Sequence, residues 1–344
     1  MKQRQTELDI LRFLATLAVI MAHMGRNPYI ASISAPTVIG KSIAPVVWCV
    51  PVFVMISGRF FLDPARAISV RKLLTKYIPR LVAAFAVWSM VYTAYDVWSG
   101  KYSHLNIFGV LTQWITGPVH FWYIYMTVGL YLLTPVLRKV AEDRKLSGYF
   151  LVIFAVYNIV TQYLVYLPKI GNIMENAVDR LGVEMLAGYA GCFILGYVLY
   201  ENRERISLKW ETVLYIAAAV MYVLTYLLDV NLREKLPNSD FFKQMEKPNV
   251  VLFSAALYLF FVKRVSKFRF SEKVRKFFAK TTEYGFGVYL LHALVISVSA
   301  LIPLPAEVPL PGLAAMLYAA LVFLCSAALT AIFRRIPVAG KYLL

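Results

Sequence analysis

Apolar runs of about twenty residues recur along these 344 residues, and no other feature narrows the possible folds as far. A helix of about twenty apolar residues matches the hydrocarbon thickness of a bilayer. We read ten such spans, at about 8–26, 41–62, 78–97, 119–138, 148–167, 183–201, 212–230, 248–264, 284–303 and 311–333. The chain is 60% hydrophobic and 16% charged, too apolar for a soluble domain of this length. The expected fold is an all-α, polytopic transmembrane bundle forming one domain over 1–344. No tandem repeat and no hydrophilic stretch large enough for a soluble catalytic domain is visible. The first run lacks a small-residue cleavage site, so no removable signal peptide is expected.

The net charge of +17 raises the question of nucleic acid, and its distribution answers it. With the N-terminus placed inside, 26 Lys and Arg fall in inner segments, nine fall in outer loops, and Arg12 falls within the membrane. Such asymmetry is the positive-inside pattern, so both termini are expected in the cytoplasm. The basic excess then reflects topology and contact with anionic membrane lipids, and no nucleic-acid partner is expected. Cys49, Cys192 and Cys325 all lie in apolar spans and show no metal-ligand spacing, so neither a disulfide framework nor a metal is expected.

Within the first span, Glu7 to Gly25, sit two residues that a lipid-facing helix should avoid, Arg12 and His23. Eleven helical positions turn through about 1100°, some 20° past three full turns, so both point the same way, roughly 16 Å apart along the axis. Ionisable groups inside a membrane usually face a bundle interior or a wet cavity. Snorkelling of Arg12, its pairing with Asp9 at i,i+3, or a core role for His23 are the plainer alternatives.

Further along, Val50 to Arg59 reads V-P-V-F-V-M-I-S-G-R. Pro51 predicts a kink. Ser57-Gly58 lets a ligand or another backbone approach closely, helix packing being the commoner use. Lys76 and Arg80 share a face of the third helix, where cations suit a polyanion or simply mark the inner side. His104 reads as an exposed loop residue. H-F-W-Y-I-Y, His120 to Tyr125, opens the fourth span. There His120 enters at the outer boundary, placed to meet an acceptor, and Trp122 and Tyr123 fit an interfacial aromatic belt. Glu184 is a further polar candidate, with capping or exposure as its ordinary role. Eight basic residues between Lys263 and Lys280, interleaved with Phe268, Phe270, Phe277 and Phe278, predict an amphipathic helix on the inner leaflet. His292 follows in Y-G-F-G-V-Y-L-L-H, near mid-membrane, where a polar partner across the bundle is expected.

Taken in order, L-D-I-L-R with His23 eleven residues after Arg12, V-P-V-F-V-M-I-S-G, F-W-Y-I-Y-M-T-V-G-L-Y-L-L-T-P, I-L-G-Y-V-L-Y and Y-G-F-G-V-Y-L-L-H together resemble the acyltransferase-3 family of membrane O-acyltransferases. The resemblance covers nearly the whole chain and is greatest to short members without a fused soluble domain, related to acetyltransferases of surface polysaccharides. Two departures stand out. Arg59 follows Ser57-Gly58 where the family often has Phe or Tyr. Tyr77 precedes Arg80 where the family often has an Arg-x-x-Arg pair, leaving Lys76 or Arg59 as a substitute cation.

The resemblance implies a multi-pass protein of the bacterial inner membrane. Its donor would be a cytosolic acyl-CoA, usually acetyl-CoA, and its acceptor a hydroxyl of an envelope glycan or lipid-linked precursor. On this reading Arg12, Lys76 and Arg80, with Arg59 and Ser57 nearby, bind the donor. His23, with Arg12, carries catalysis as general base, an acyl-histidine relay being the alternative. His120, Trp122, Tyr123, His292 and Glu184 serve the acceptor or support the site. The oxyanion donor is unassigned among Ser57, Tyr123 and His292. The competing readings are a non-catalytic transporter or flippase of a glycan or lipid-linked precursor, and a structural subunit of an envelope complex. The acceptor, the acyl length and the oligomeric state, a homo-oligomer included, stay open.

Overall fold

The computed structural model describes residues 4–34, 45–66, 68–101, 106–162, 171, 173, 180, 188–232, 247–302, 310–337, 340 and 343. These residues form helices and turns, with no strand among them. The main helices are α1 (Thr6–His23), α2 (Pro28–Ser34), α3 (Cys49–Phe61), α4 (Ile78–Trp98), α5 (Ile107–Thr116), α6 (Trp122–Glu142), α7 (Arg144–Gln162), α8 (Tyr189–Asn202), α9 (Leu208–Leu232), α10 (Pro248–Lys263), α11 (Glu272–Ser299) and α12 (Pro311–Phe333).

Six of the segments are long and apolar enough to cross a membrane: Thr6–Arg26, Val70–Trp98, Val119–Glu142, Leu208–Asn231, Pro248–Lys267 and Pro311–Phe333. Outward faces are apolar too. Val213, Ile216, Val220 and Leu224 of α9 and Met316, Leu317, Leu321 and Leu324 of α12 are all exposed. Large apolar surface of this kind is stable only against lipid or another protein. The chain is a multi-pass helical membrane protein.

Three apolar cores hold the bundle. One joins α1, α3, α6, α7, α8 and α10. A second joins α1, α2, α11 and α12. The third joins α4, α11 and the entry to α6. Helices α1, α6 and α11 each belong to two cores and together form the hub. The tightest approach is between α3 and α8. A Cβ on Gly58 would overlap the Phe193 backbone, and one on Gly196 would overlap the Met55 backbone. Small residues at such spacing let helix backbones meet.

Three local expectations are corrected. Pro51 kinks nothing, because α3 starts at Cys49 and places Pro51 in the first turn, where the missing N–H has no intrahelical partner to lose. The basic stretch before the ninth expected span is not a separate surface helix. Residues 272–280 are the first turns of the continuous α11, and Phe277 and Phe278 pack edge-on against Phe13 of α1. Lys76 and Arg80 do not share a regular helical face, because Lys76 lies in a π-helical turn, Leu73–Tyr77, that precedes α4 and resets its register.

Candidate functional site

Where the three cores meet, α1, α3, α4, α6 and α11 enclose a cavity of about 570 Å³. Small-molecule sites typically occupy about 300–1,000 Å³. Helix α1 contributes Arg12, Phe13, Thr16, Val19, Ile20 and His23, with Ala22 at the edge of the same face. These are the positions of a single helical stripe, so the eleven-residue spacing of Arg12 and His23 does put both on one wall.

At one end of that wall, Arg12 lies 3.5 Å from Asp9. The same carboxylate takes a shorter contact, 2.6 Å, from Arg4. One buried carboxylate therefore serves two guanidiniums, and a net positive charge is left beside the cavity. Arg12 also stands over the Phe60 ring at 4.9 Å, and its side chain keeps 26% of its surface accessible. Arg80 lines the cavity as well and lies 5.9 Å from the Phe286 ring.

Further along, three of the chain's four histidines converge. Ring centroids of His23 and His292 are 5.2 Å apart, those of His120 and His292 5.0 Å, and those of His23 and His120 5.8 Å. All three line the cavity. His23 Nδ1 lies 2.8 Å from the Val19 carbonyl, and His292 Nδ1 lies 2.7 Å from the Tyr289 carbonyl. A carbonyl only accepts, so in the neutral rings both Nδ1 atoms carry the proton and both Nε2 atoms present a lone pair. His292 Nε2 is buried without a partner. In His120, only 3% exposed, neither ring nitrogen has a partner among the described residues. No group of three or more His, Cys, Asp or Glu side chains among the described residues has an arrangement able to hold a metal ion.

Local sequence explains why His120 turns inward. Gly117 adopts φ +67°, where a residue with a Cβ is strained, and reverses the chain after α5. Ser89 donates to the Trp114 carbonyl at 2.5 Å and Trp114 Nε1 to the Ala86 carbonyl at 2.6 Å, fastening α5 to α4. The short 3₁₀ turn Val119–Phe121 then delivers His120 and Phe121 into the core. Tyr289 Oη donates to the His120 carbonyl at 2.8 Å and fixes this turn to α11.

The other sequence candidates divide. Ser57, Trp122 and Tyr123 line the cavity. Ser57 Oγ donates to the Phe53 carbonyl at 2.9 Å, so its proton is committed within α3. Its neighbour Gly58 faces the opposite way, onto α8, so the Ser-Gly pair serves both cavity and packing. Trp122 packs against Tyr189, with ring centroids 5.6 Å apart. Arg59 is buried away from the cavity lining, paired with Asp63 at 2.9 Å and lying 3.7 Å from the Tyr200 ring centroid. Lys76 is exposed and outside the lining. Glu184 and His104 lie outside the described residues.

Lining residues that the sequence reading passed over include Tyr131 of α6 and Thr281, Thr282, Gly285, Phe286 and Tyr289 of α11. The α11 set is reached by stepping back from His292 in helical turns, so an inward-facing His292 is the sequence signal that points to it. Thr282 Oγ1 is buried in this wall without a partner.

A family model described as an acyltransferase domain, Acyl_transf_3, matches residues 5–334 of the chain. No curated protein and no solved structure matches it.

Proposed function

The chain belongs to the acyltransferase-3 family and is an acyltransferase, and from that premise we propose that it moves an acetyl or related acyl group from cytosolic acyl-CoA to a hydroxyl of an envelope glycan or lipid-linked acceptor. The observation that carries this reading is the shared wall, on which Arg12 and His23 line one cavity. Family membership also favours an enzyme over a non-catalytic transporter.

In this reading the donor enters from the cytoplasmic side, and its phosphates meet Arg12 and Arg80. Charge-assisted contacts to phosphate are about twice as strong as neutral ones. The pantetheine arm extends along the α1 stripe toward His23. The acceptor hydroxyl approaches His23 Nε2, whose lone pair faces away from the Val19 contact. As the hydroxyl oxygen attacks the thioester carbonyl carbon, its proton passes to Nε2. When the C–S bond breaks, the imidazolium returns that proton to the departing thiolate. An ester and a free thiol result, with no net proton taken up. The protein would sit in the bacterial inner membrane with ten spans and both termini in the cytoplasm.

The test is acetyl-CoA binding by the purified protein in lipid nanodiscs. The unmodified chain binds, and Arg12→Ala weakens binding roughly 10- to 100-fold, as loss of a charge-assisted phosphate contact requires. Equal binding by both proteins, or none by either, would refute the donor assignment. Mass spectrometry of envelope glycans with and without the protein then identifies the acceptor.

A further inference from the structure

Three imidazoles around one cavity do not have the same hydrogen-bonding capacity. His23 and His292 each direct their N–H to a carbonyl of their own helix, Val19 and Tyr289. In the neutral state both therefore offer the cavity a lone pair and no donor. His120 is different. Its ring is almost fully buried and neither nitrogen has a partner. A buried polar group left unpaired costs about 1–3 kcal/mol, so such groups in native proteins call for an explanation. A neutral imidazole always carries one N–H, and among the described residues His120 has no acceptor to give it to.

Acyl transfer creates a need for a donor of that kind. Attack on a thioester carbonyl turns its oxygen into an oxyanion, which must be met by N–H or O–H groups set in place beforehand. Ser57 is an unsuitable source, since its hydroxyl donates to the Phe53 carbonyl. Tyr289 is equally committed, to the His120 carbonyl. His292 donates its N–H to the Tyr289 carbonyl. Thr282, although unpartnered among the described residues, lies ten residues before His292 on α11, roughly 15 Å away along the axis. Tyr123 also lines the cavity and is a second donor that the variants below leave in place.

We propose that His120 is the oxyanion donor of the transfer reaction, its free N–H meeting the thioester carbonyl oxygen while His23 Nε2 takes the acceptor's proton. The assignment rests on the acyl-CoA reading of the cavity and adds a third catalytic group to it. The proton stays on His120 throughout. The new C–O bond forms at the carbonyl carbon, the oxyanion collapses, the C–S bond breaks, and the thiolate is protonated by His23. The second nitrogen of His120 keeps a lone pair, available to a second hydroxyl of the acceptor or to water.

The experiment compares the unmodified chain with His120→Phe, His120→Asn and His120→Gln, all full-length in nanodiscs. Two quantities are measured: acetyl-CoA affinity, and the rate of acetyl-CoA hydrolysis with water as the acceptor. His120→Phe keeps the affinity within about twofold and loses roughly 100- to 1,000-fold in hydrolysis, as removal of one oxyanion donor does. Asn places an amide N–H near the Nδ1 position and Gln near Nε2, so recovery of at least tenfold by one of them confirms donation and identifies the nitrogen. Hydrolysis by His120→Phe within threefold of the unmodified rate overturns the assignment. So does recovery by neither amide when both proteins are folded and bind donor. Loss of activity on chelation with return on added zinc would also overturn it in favour of a metal held by the three rings. An unmodified chain that neither binds nor hydrolyses acetyl-CoA defeats the underlying donor reading instead, whatever the variants do.

Discussion

Two of the polar clusters inside this apolar bundle differ in how fully their charges and hydrogen bonds are matched. At the α9–α10 end, Glu211 is fully buried and saturated. Lys263 approaches it at 2.7 Å, Arg264 forks onto both its oxygens at 2.6 and 2.8 Å, and Tyr215 donates at 2.9 Å. Lys263 also donates to the Ile206 carbonyl at 2.6 Å. In the cavity, Arg12 shares one carboxylate with Arg4, and among the described residues the two ring nitrogens of His120 and one atom each of His292 and Thr282 have no hydrogen-bond partner. A saturated cluster has no remaining valence for a ligand and works as a brace. The unsaturated one is costly as it stands, and its cost is offset only when something polar enters. In a membrane protein, then, buried charge alone says little about function; the unmatched remainder says more.

This contrast predicts opposite consequences when each cluster is broken. The largest effect is expected for His23→Ala. Acyl transfer falls roughly 100- to 10,000-fold, the usual contribution of general-base catalysis, while acetyl-CoA affinity and the thermal midpoint barely change. The midpoint holds because the ring's hydrogen bond is to its own helix, at Val19, and ties no second element. Transfer at the normal rate would remove His23 as the base. For Glu211→Gln the pattern inverts. Two cations are left facing a neutral amide, and the midpoint of thermal unfolding drops by roughly 3–5 °C with donor affinity unchanged. A parallel loss of donor affinity would show that the brace and the cavity are one system.

Much of this architecture was legible beforehand, because the membrane dictates it. Length and hydropathy mark helices, and the α1 stripe follows from helical geometry alone, so the Arg12–His23 wall needed no coordinates. What stayed hidden depends on partners distant in sequence. Nothing in R-F-F-L-D-P indicates that Arg59 closes on Asp63 and Tyr200 rather than on a ligand. The inward turn of His120 depends on a positive-φ glycine and on α5 being fastened to α4, neither of which a hydropathy reading resolves. Trp122 illustrates the same limit. An aromatic belt and a cavity wall draw on the same residue types, and only the packing against Tyr189 separates them.

The contact between α3 and α8 offers an intermediate test, because it braces the helix that carries Ser57. Gly58→Ala inserts a methyl group where the Phe193 backbone already stands. Overpacking of this kind typically costs about 1–3 kcal/mol. The expected result is a lower thermal midpoint together with weaker donor binding, since α3 must shift and α3 lines the cavity. A lower midpoint with unaltered binding would mean that the cavity tolerates movement of that wall.

The smallest effect is expected at Lys76, and it sharpens the comparison from the other side. By charge and position Lys76 resembles Arg80, four residues on, and the sequence groups them as one phosphate clamp. Both are exposed, but the π-helical turn at Leu73–Tyr77 separates them, so that Arg80 lines the cavity while Lys76 lies outside it. A cation in water contributes little to a contact it does not make, and what remains is long-range attraction screened over about 8 Å at physiological salt. Lys76→Ala therefore changes acetyl-CoA affinity less than about twofold, while Arg80→Ala weakens it severalfold or more. The comparison is best run at both low and physiological salt. Screening removes a steering contribution from Lys76 and leaves a direct contact of Arg80 largely intact. Equal losses for the two variants at physiological salt would restore the paired clamp and place the donor's phosphates outside the cavity mouth described by the lining residues.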